Sequence, residues 1–160
     1  MKRPCCPDNH GIIARHFRIQ DYDAVIRLWR RTEGVGLNES DTRRAIALYL
    51  RRNPHFSFVA EKDGSLIGAV LCGHDGRRGY LHHLAVARRY RRRGIGRRLV
   101  NACLSRLQKA GISRCNIFIF ANNAAGMKFW ARAGWTLRME LRVMQIRLDG
   151  TPGLGSDCPC

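Results

Sequence analysis

The chain has 160 residues, of which 45% are hydrophobic and 26% are charged, a composition that excludes a fibrous repeat and wholesale disorder and is typical of one globular domain. Its 29 lysine and arginine residues against 12 acids give a formal charge of +17, which predicts attraction to phosphates and other polyanions without naming one. The longest core-like apolar run, residues 66–72, is too short to cross a bilayer, and the N-terminus lacks the apolar stretch of a signal peptide, so we expect a soluble, cytoplasmic protein.

The first part of the chain predicts a strand and two helices. Residues 12–19 are β-branched and partly alternating, which favours a strand. Residues 21–31 place apolar side chains on one helical face behind an Asp21 cap. A second helix begins behind Ser40 and ends at Asn53, because the proline that follows disfavours the α conformation there.

The next part predicts an antiparallel meander. Two apolar stretches, 56–62 and 66–73, are joined by "DGS" at 63–65, a sequence that suits a tight hairpin turn. A further strand over residues 79–87 follows after a short link.

The last part alternates helices and strands. Residues 95–111 have apolar side chains at helical spacing up to a glycine, and 115–121 read as a buried strand. A strand, a helix and a strand in this order form a right-handed crossover, so the strands on either side of the helix should be parallel. A short helix over 122–134 and a hairpin-like pair of strands over 135–148 complete the domain.

The two ends of the chain carry little that can be buried. We therefore predict tails at residues 1–10 and 149–160 around one domain at 11–148. The seven cysteines are an odd number, and three of them lie in apolar patterns, which favours buried free thiols over a disulfide framework and gives no metal site. They are Cys5, Cys6, Cys72, Cys103, Cys115, Cys158 and Cys160.

The stretch "RRYRRRGIGRRL", residues 88–99, holds seven arginines and two glycines between a strand and a helix. It is either a basic patch for nucleic acid or one wall of a site for a particular anion. The first amides of a helix lack internal partners, and Gly94 and Gly96 let a phosphate approach the backbone closely. The pattern does not match a Walker loop or a dinucleotide-binding loop, and it reduces to Arg-x-x-Gly-x-Gly from Arg91 to Gly96.

These residues resemble the GNAT superfamily of acetyl-CoA-dependent N-acetyltransferases. The likeness follows the element order of residues 12–148 and is sharpest in "YLHHLAVARRYRRRGIGRRLV", which carries that family's strand, Arg/Gln-x-x-Gly-x-Gly/Ala loop and helix. A second block, "NAAGMKFWARAGW" at 123–135, is similar to the family's Asn-x-x-Ala-x-x-Phe/Leu-Tyr-x-x-x-Gly-Phe segment. The resemblance implies an α/β (α+β) GNAT fold: a mixed central sheet of six to seven strands, splayed between the fourth and fifth and flanked by about four helices.

The resemblance also implies where the co-substrate acetyl-CoA binds. It would lie in a V-shaped opening between strands 80–86 and 115–121, with its pantetheine arm on the backbone of 84–86 and its pyrophosphate on the amides of 91–97. Arginine side chains would then meet the phosphates. The cofactor-binding residues expected on this basis are Leu84, Ala85, Val86, Arg91, Arg92, Arg93, Gly94, Ile95, Gly96, Arg97, Asn123, Phe129 and Trp130.

An amine must lose a proton before it attacks a thioester, and a histidine suits that role near pH 7. Strand alternation predicts that His82 and His83 point to opposite faces. The segment "LHHLAV" is similar to that of serotonin N-acetyltransferases, in which a histidine matching His82 lines the acceptor pocket. His82 is therefore favoured over His83 as a water-mediated base, and a histidine simply hydrogen-bonded within the sheet is the alternative. Tyr80, on the same face, and Glu33 are expected to line the substrate pocket.

Many members of the family protonate the leaving thiolate with a tyrosine, and Trp130 stands at that position here. An indole N–H is too weak an acid for this step, so we expect Trp130 to pack against the cofactor or to wall the site. Glu33 and Glu39 would attract a cationic amine, with exposed helix-end acids as the alternative.

The function expected is transfer of an acetyl group to a primary amine of a small molecule or peptide by direct attack on the thioester. Two alternatives stay open: an acyl-CoA-binding protein with weak catalysis or a regulatory role, and a basic module for nucleic acid or the ribosome. We expect no membrane partner and only non-specific contact with nucleic acid, and a homodimer is left open.

Overall fold

A computed structural model describes residues 10–148, so the predicted tails and the four terminal cysteines lie outside the described range, except for His10. None of the helices in this range is both long and apolar enough to cross a membrane. The elements are, in chain order, β1 (Ile12–His16), α1 (Tyr22–Arg30), α2 (Arg43–Arg52), β2 (Phe58–Lys62), β3 (Ser65–His74), β4 (Gly79–Val86), α3 (Ile95–Lys109), β5 (Cys115–Ile117) and α4 (Ala124–Arg132).

The strands form one mixed sheet in the order β1-β2-β3-β4-β5. The first four are antiparallel neighbours, and β4 and β5 are parallel, which confirms the predicted meander and the parallel pair. The β2–β3 hairpin turns at Asp63 and Gly64, with φ of 49° and 73°. β4 pairs with β5 only over Gly79–Leu81. The two strands therefore separate beyond Leu81, as the splayed sheet predicts.

Helices cover both faces of the sheet. On one face, α3 buries Leu99, Cys103 and Leu107 against the strands, and the other face is covered by α1 and α2, whose Trp29 and Ile46 are fully or nearly fully buried. Burying each of these side chains contributes roughly 1.5–3 kcal/mol.

The three cysteines in the described range are free. The thiols of Cys72 and Cys103 are buried, which confirms the prediction of buried thiols for these two, and Cys115 is half-buried. Burial raises the pKa of the Cys115 thiol to about 12.

The predicted pair of strands over residues 135–148 is wrong. Within the described range this segment contains no strand, and the strand predicted over 115–121 ends at Ile117. A strand needs a neighbour for its backbone hydrogen bonds, and the β5 ladder is only three residues long. The apolar side chains of the segment are exposed: Leu137, Met139, Leu141, Val143, Met144, Ile146 and Leu148. The sheet thus has five strands instead of six to seven.

Helix capping differs from the sequence prediction at both early helices. The side chain of Thr42, not that of Ser40, caps α2 by accepting from the Ala45 amide. Asp21 precedes α1 as predicted but makes no cap hydrogen bond with it. The stop at Asn53 is confirmed.

Candidate active site

A β-bulge in β4 sets the direction of the two histidines. Ala85 is opposite Ala69 and His82 is opposite Leu71, so Val70 alone faces both His83 and Leu84. His83 has a φ of 53°, an unusual value for a residue other than glycine. The extra residue interrupts the strand alternation.

Both histidine rings therefore lie on the α1/α2 face, and the prediction that they point to opposite faces is wrong. The His82 ring lies 6.1 Å from the ring of Tyr49 in α2, and the His83 ring lies 4.8 Å from that of Trp29 in α1. The two imidazole centroids are 6.4 Å apart.

His82 is a half-buried imidazole among aromatic rings. Tyr80 is stacked beside it at 6.3 Å, with 11° between the planes, so these two side chains share a face as predicted. Burial lowers the pKa of His82, the charge of His83 lowers it further, and Asp41 opposes the shift. In the described part of the chain the buried side-chain nitrogens without a hydrogen-bond partner are His16 Nδ1 and Trp29 Nε1, so the His82 nitrogens reach solvent. His82 can accept a proton near neutral pH.

His83 is paired with a buried carboxylate. Its Nε2 lies 2.7 Å from Oδ1 of Asp41, whose side chain is only 6% exposed. The other carboxylate oxygen, Oδ2, accepts from the backbone N–H of Asn38 at 2.9 Å. Burial raises the pKa of Asp41, but the hydrogen bonds from His83 and Asn38 and the charges of both histidines outweigh it and lower the pKa overall.

The sequence did not indicate the Asp41–His83 pair. The two residues are 42 positions apart, and no local pattern links residues at that separation. In the sequence, Asp41 is simply the residue after Ser40 at the start of the predicted second helix.

The turn into α3 has the properties of an anion site. Gly94 is the N-cap of α3 with a φ of 78°, and a side chain there would meet nothing within 4 Å. Among the described residues, the backbone N–H groups of Gly94, Ile95, Gly96 and Arg97 find no acceptor. Four unpaired donors at a helix N-terminus favour a phosphate ligand.

Arg91 lies between this turn and the free edge of β4. Its Nε donates to the Val86 carbonyl at 3.0 Å, and its Nη1 is 3.8 Å from Oε2 of Glu33. Glu33 is 87% exposed. The structure thus places Glu33 next to Arg91, beside the turn of residues 91–97, which we call the anion turn after the ligand predicted for it.

Three further arginines of this turn, Arg92, Arg93 and Arg97, have different surroundings. Arg92 is exposed, Arg93 lies over the Tyr90 ring at 5.6 Å, and Arg97 donates to a backbone carbonyl of α4 at 3.0 Å. Arg98, in the first turn of α3, donates to the Ile12 carbonyl at 3.0 Å and so connects α3 to β1.

The opposite wall of the opening comes from α4 and the segment before it. Asn123 caps α4 by accepting from the Gly126 amide at 2.8 Å. A methyl group on Gly34 would lie 2.1 Å from the Asn123 amide nitrogen, so the loop between α1 and α2 packs directly against this residue. That loop therefore contacts both walls, Arg91 on one side and Asn123 on the other.

The aromatic residues of α4 pack inward. A side chain on Gly96 would meet the Phe129 ring at 3.4 Å, so Phe129 lies against the first turn of α3. Trp130 contacts the rings of Phe129 and Trp135 at 5.1 and 4.9 Å and is half-buried against the core. Of the site residues expected from the sequence, Glu33 lies beside Arg91, the loop at Gly34 packs against Asn123, and Phe129 lies against Gly96, whereas Glu39 is exposed.

Comparison with known proteins agrees with this architecture. Residues 22–135 match the family model described as "Acetyltransferase (GNAT) family". An acetyltransferase of Sodalis glossinidius is 28% identical over 84% of this chain and 94% of the relative. One from Pectobacterium atrosepticum is 39% identical over 62% of this chain and 67% of the relative.

Solved structures share the fold at low identity. A PaiA N-acetyltransferase from Thermoplasma acidophilum, solved in complex with coenzyme A, has a TM-score of 0.72 and 19% identity over 80% of this chain and 91% of its own. Ard1 from Thermoplasma volcanium has a TM-score of 0.71 and 21% identity over 80% and 84%. The matched family model covers most of the chain and the named relatives are acetyltransferases, so the chain belongs to the GNAT family and is an N-acetyltransferase.

Proposed function

We propose that the protein transfers the acetyl group of acetyl-CoA to a primary amine of a small molecule or peptide, by direct attack of the amine on the thioester. One observation carries this proposal. The unpaired edge of β4 beyond Leu81 runs from the histidines to the Val86 carbonyl, close to the free amides of Gly94 to Arg97. A ligand with an amide-bearing arm and a pyrophosphate fits that arrangement.

The residues present suit coenzyme A at each step along the opening. Leu84, Ala85 and Val86 have no β5 partner, so their backbone can bond the pantetheine arm as a strand would. The turn from Arg91 to Arg97, with Arg92, Arg93 and Gly96, would hold the phosphates. Asn123, Phe129 and Trp130 would flank the arm from the α4 side. When bound, acetyl-CoA supplies the thioester carbonyl that the amine attacks.

His82 is the base in this proposal. Its lowered pKa keeps the imidazole neutral near pH 7, and its nitrogens reach solvent, so it can take the amine proton directly or through one water. Tyr80 and Glu33 would wall the acceptor side. Trp130 packs against other rings, and an indole N–H cannot protonate the leaving thiolate.

The proposal of an amine acceptor is consistent with the ligand of one solved structural neighbour. AAC(6′)-Iy, solved in complex with the bisubstrate analogue CoA-S-monomethyl-acetylneamine, has a TM-score of 0.67 and 19% identity over 85% of this chain and 97% of its own. At this identity the likeness concerns the fold, so the acceptor must be found by experiment.

The test is calorimetric titration with acetyl-CoA, followed by thiol release over a panel of amines and peptides. We expect saturable binding at micromolar concentration and turnover with at least one acceptor. His82→Ala should slow turnover at least about tenfold. His55→Asn is the matched control: it removes an exposed imidazole on the β1 side and keeps a residue that tolerates the φ of 68°. Failure to bind acetyl-CoA, or turnover unaffected by His82→Ala, would contradict the proposal.

A further inference from the structure

We propose that His83, held by Asp41, accepts through a water the proton that His82 removes from the acceptor amine, so that His82 is free to accept again in the same turnover. His83 is thereby a second proton acceptor, and Asp41 is its positioning residue. This inference rests on the function proposed above.

The stoichiometry of the reaction calls for a second acceptor. An ammonium acceptor and a thioester give an amide, a thiol and one free proton, so two protons leave the nitrogen for each new C–N bond. One of them ends on the sulfur when the C–S bond breaks, and the other goes to solvent. A single imidazole holds only one extra proton at a time, so a neighbouring acceptor lets His82 discharge.

The bulge brings such an acceptor into reach. With regular alternation the two rings would lie on opposite faces, but here they share one face with centroids 6.4 Å apart. Because each ring nitrogen lies about 1 Å from its ring centroid, nitrogens on the facing sides of the two rings would be close enough for one water to bridge them with two hydrogen bonds of about 2.8 Å. The bulge thus places both rings on one face, with an unusual backbone conformation at His83.

The partners of His83 fix which nitrogen is free. Its Nε2 donates to Asp41 Oδ1 at 2.7 Å, which leaves the Nδ1 lone pair as the accepting site. Nδ1 has no hydrogen-bond partner in the described chain and is not among the buried unpaired nitrogens there, so water reaches it. A carboxylate on the opposite nitrogen orients the ring and stabilises the imidazolium that forms.

The surroundings of the pair are rigid. The Asn38 amide holds the second oxygen of Asp41, the Tyr22 hydroxyl donates to the Asp41 carbonyl at 2.9 Å, and the Trp29 ring packs on His83. In the described part of the chain, His83 interacts electrostatically with Asp41, from the turn before α2, and with His82, from its own strand. A carboxylate held in one position keeps the His83 ring in one orientation, so that its Nδ1 can receive a proton at a defined place.

The first test reads the ring nitrogens by NMR in the protein without ligands. In the wild type we expect His83 in the Nε2–H tautomer. His83→Asn removes the interaction with His83 that lowers the pKa of His82 and leaves Asp41 in place, so the pKa of His82 should rise; Asp41→Asn removes the charge that raises it, so the pKa should fall. Opposite shifts are expected because His83 and Asp41 act oppositely on His82. Asparagine also tolerates the φ of 53° at position 83.

The second test is the pH dependence of turnover. His83→Asn should lower kcat roughly tenfold or more and move the rising limb of kcat to higher pH, while KM for acetyl-CoA stays within about twofold. Asp41→Asn should lower kcat less and move that limb to lower pH. Thr42→Ala is the control, because it removes the neighbouring α2 cap without touching either histidine. It should reduce stability by about 1 kcal/mol and leave the pH profile unchanged.

The outcomes separate this inference from the proposed function. Suppose that His83→Asn and Asp41→Asn lose stability as Thr42→Ala does, while kcat and the His82 titration are unchanged. The Asp41–His83 pair then only holds the turn before α2 against the sheet, and the proposed proton transfer from His82 to His83 (the relay) is wrong. If the wild type binds acetyl-CoA but acetylates no amine, the proposed function fails and the relay with it. Turnover that depends on His82 but not on His83 overturns the relay alone.

Discussion

At the residue scale, Tyr49, whose ring lies beside His82, shares a contact with Asn53 on one glycine of β3. Asn53, in the segment between α2 and β2, accepts from the His74 amide at 2.9 Å and donates to the Tyr49 carbonyl. Both side chains lie against the backbone of Gly73 in β3. The position of Tyr49 therefore depends on a close approach between α2 and the sheet that only glycine permits.

Gly73→Ala tests that close approach. A methyl group there would lie 2.5 Å from Asn53 Cγ and 2.7 Å from the Tyr49 hydroxyl, and because Asn53 is buried and hydrogen-bonded it cannot yield. We expect a loss of about 2–3 kcal/mol in the free energy of unfolding, measured by urea denaturation. Gly36→Ala is the matched control: its methyl would lie 2.7 Å from the tip of the Phe120 ring, but that ring is 56% exposed and can turn away. Equal losses in the two variants would contradict this account.

At the scale of elements, the β1–α1 junction is held by a bidentate ion pair between Arg15 and Asp21. Nη1 and Nη2 of Arg15 donate to the two oxygens of Asp21, at 2.7 and 2.8 Å, and the Arg18 backbone N–H donates to the same carboxylate at 2.9 Å. Burial raises the pKa of Asp21, but these bonds and charges outweigh it, so the pKa lies below its usual value. A carboxyl whose pKa is lowered by folding stabilises the fold above its unfolded-state pKa, and that stability is lost as the pH falls through the lowered value.

Asp21→Asn should therefore cost stability at pH 7 and little at strongly acidic pH. We expect a loss of about 1–2 kcal/mol at neutral pH, because Asp21 is only 13% exposed, and the difference from the wild type should shrink as the pH falls below about 4. Asp23→Asn is the control, since the Asp23–Arg43 pair is 68% and 52% exposed and should be worth less than about 0.5 kcal/mol. Unfolding curves measured from pH 7 to pH 2 compare the two, and a pH-independent loss in Asp21→Asn would show that the carboxylate charge is not involved.

The features that could be predicted from the sequence are local, and those that could not depend on residues far apart in the chain. The hairpin turn at Asp63 and the glycine turn into α3 at Gly94 follow from a few adjacent residues, and both turns are present; that the second binds an anion stays a prediction. The bulge at His83 depends on register with β3, and the Asp41 contact joins residues far apart in the chain, so no periodicity revealed either. The alternating apolar residues of 137–148 indicated strands, but a pattern cannot supply the hydrogen-bonding neighbour that a strand requires.

At the scale of the whole molecule, the net charge of +17 is distributed well beyond the site. Exposed arginines lie on α1 and α2 as well as around the anion turn. Such a field raises the local concentration of any polyanion, so a single arginine at the turn acts in two ways. It contributes to the long-range field, which salt screens, and under the proposed function it would also contact the phosphates directly, an interaction that salt screens much less.

Salt separates these two contributions. Arg92→Gln at the turn and Arg44→Gln on α2 remove the same charge from two exposed positions. At 0.1 M NaCl, where the screening length is about 10 Å, both should weaken acetyl-CoA binding, Arg92→Gln roughly tenfold and Arg44→Gln less than about twofold. At 1 M NaCl, with a screening length of about 3 Å, the Arg44→Gln effect should vanish while most of the Arg92→Gln effect persists. Calorimetric titration at the two salt concentrations measures both. Equal effects that vanish together would show that the turn attracts coenzyme A only through the overall charge, and would count against a built phosphate site.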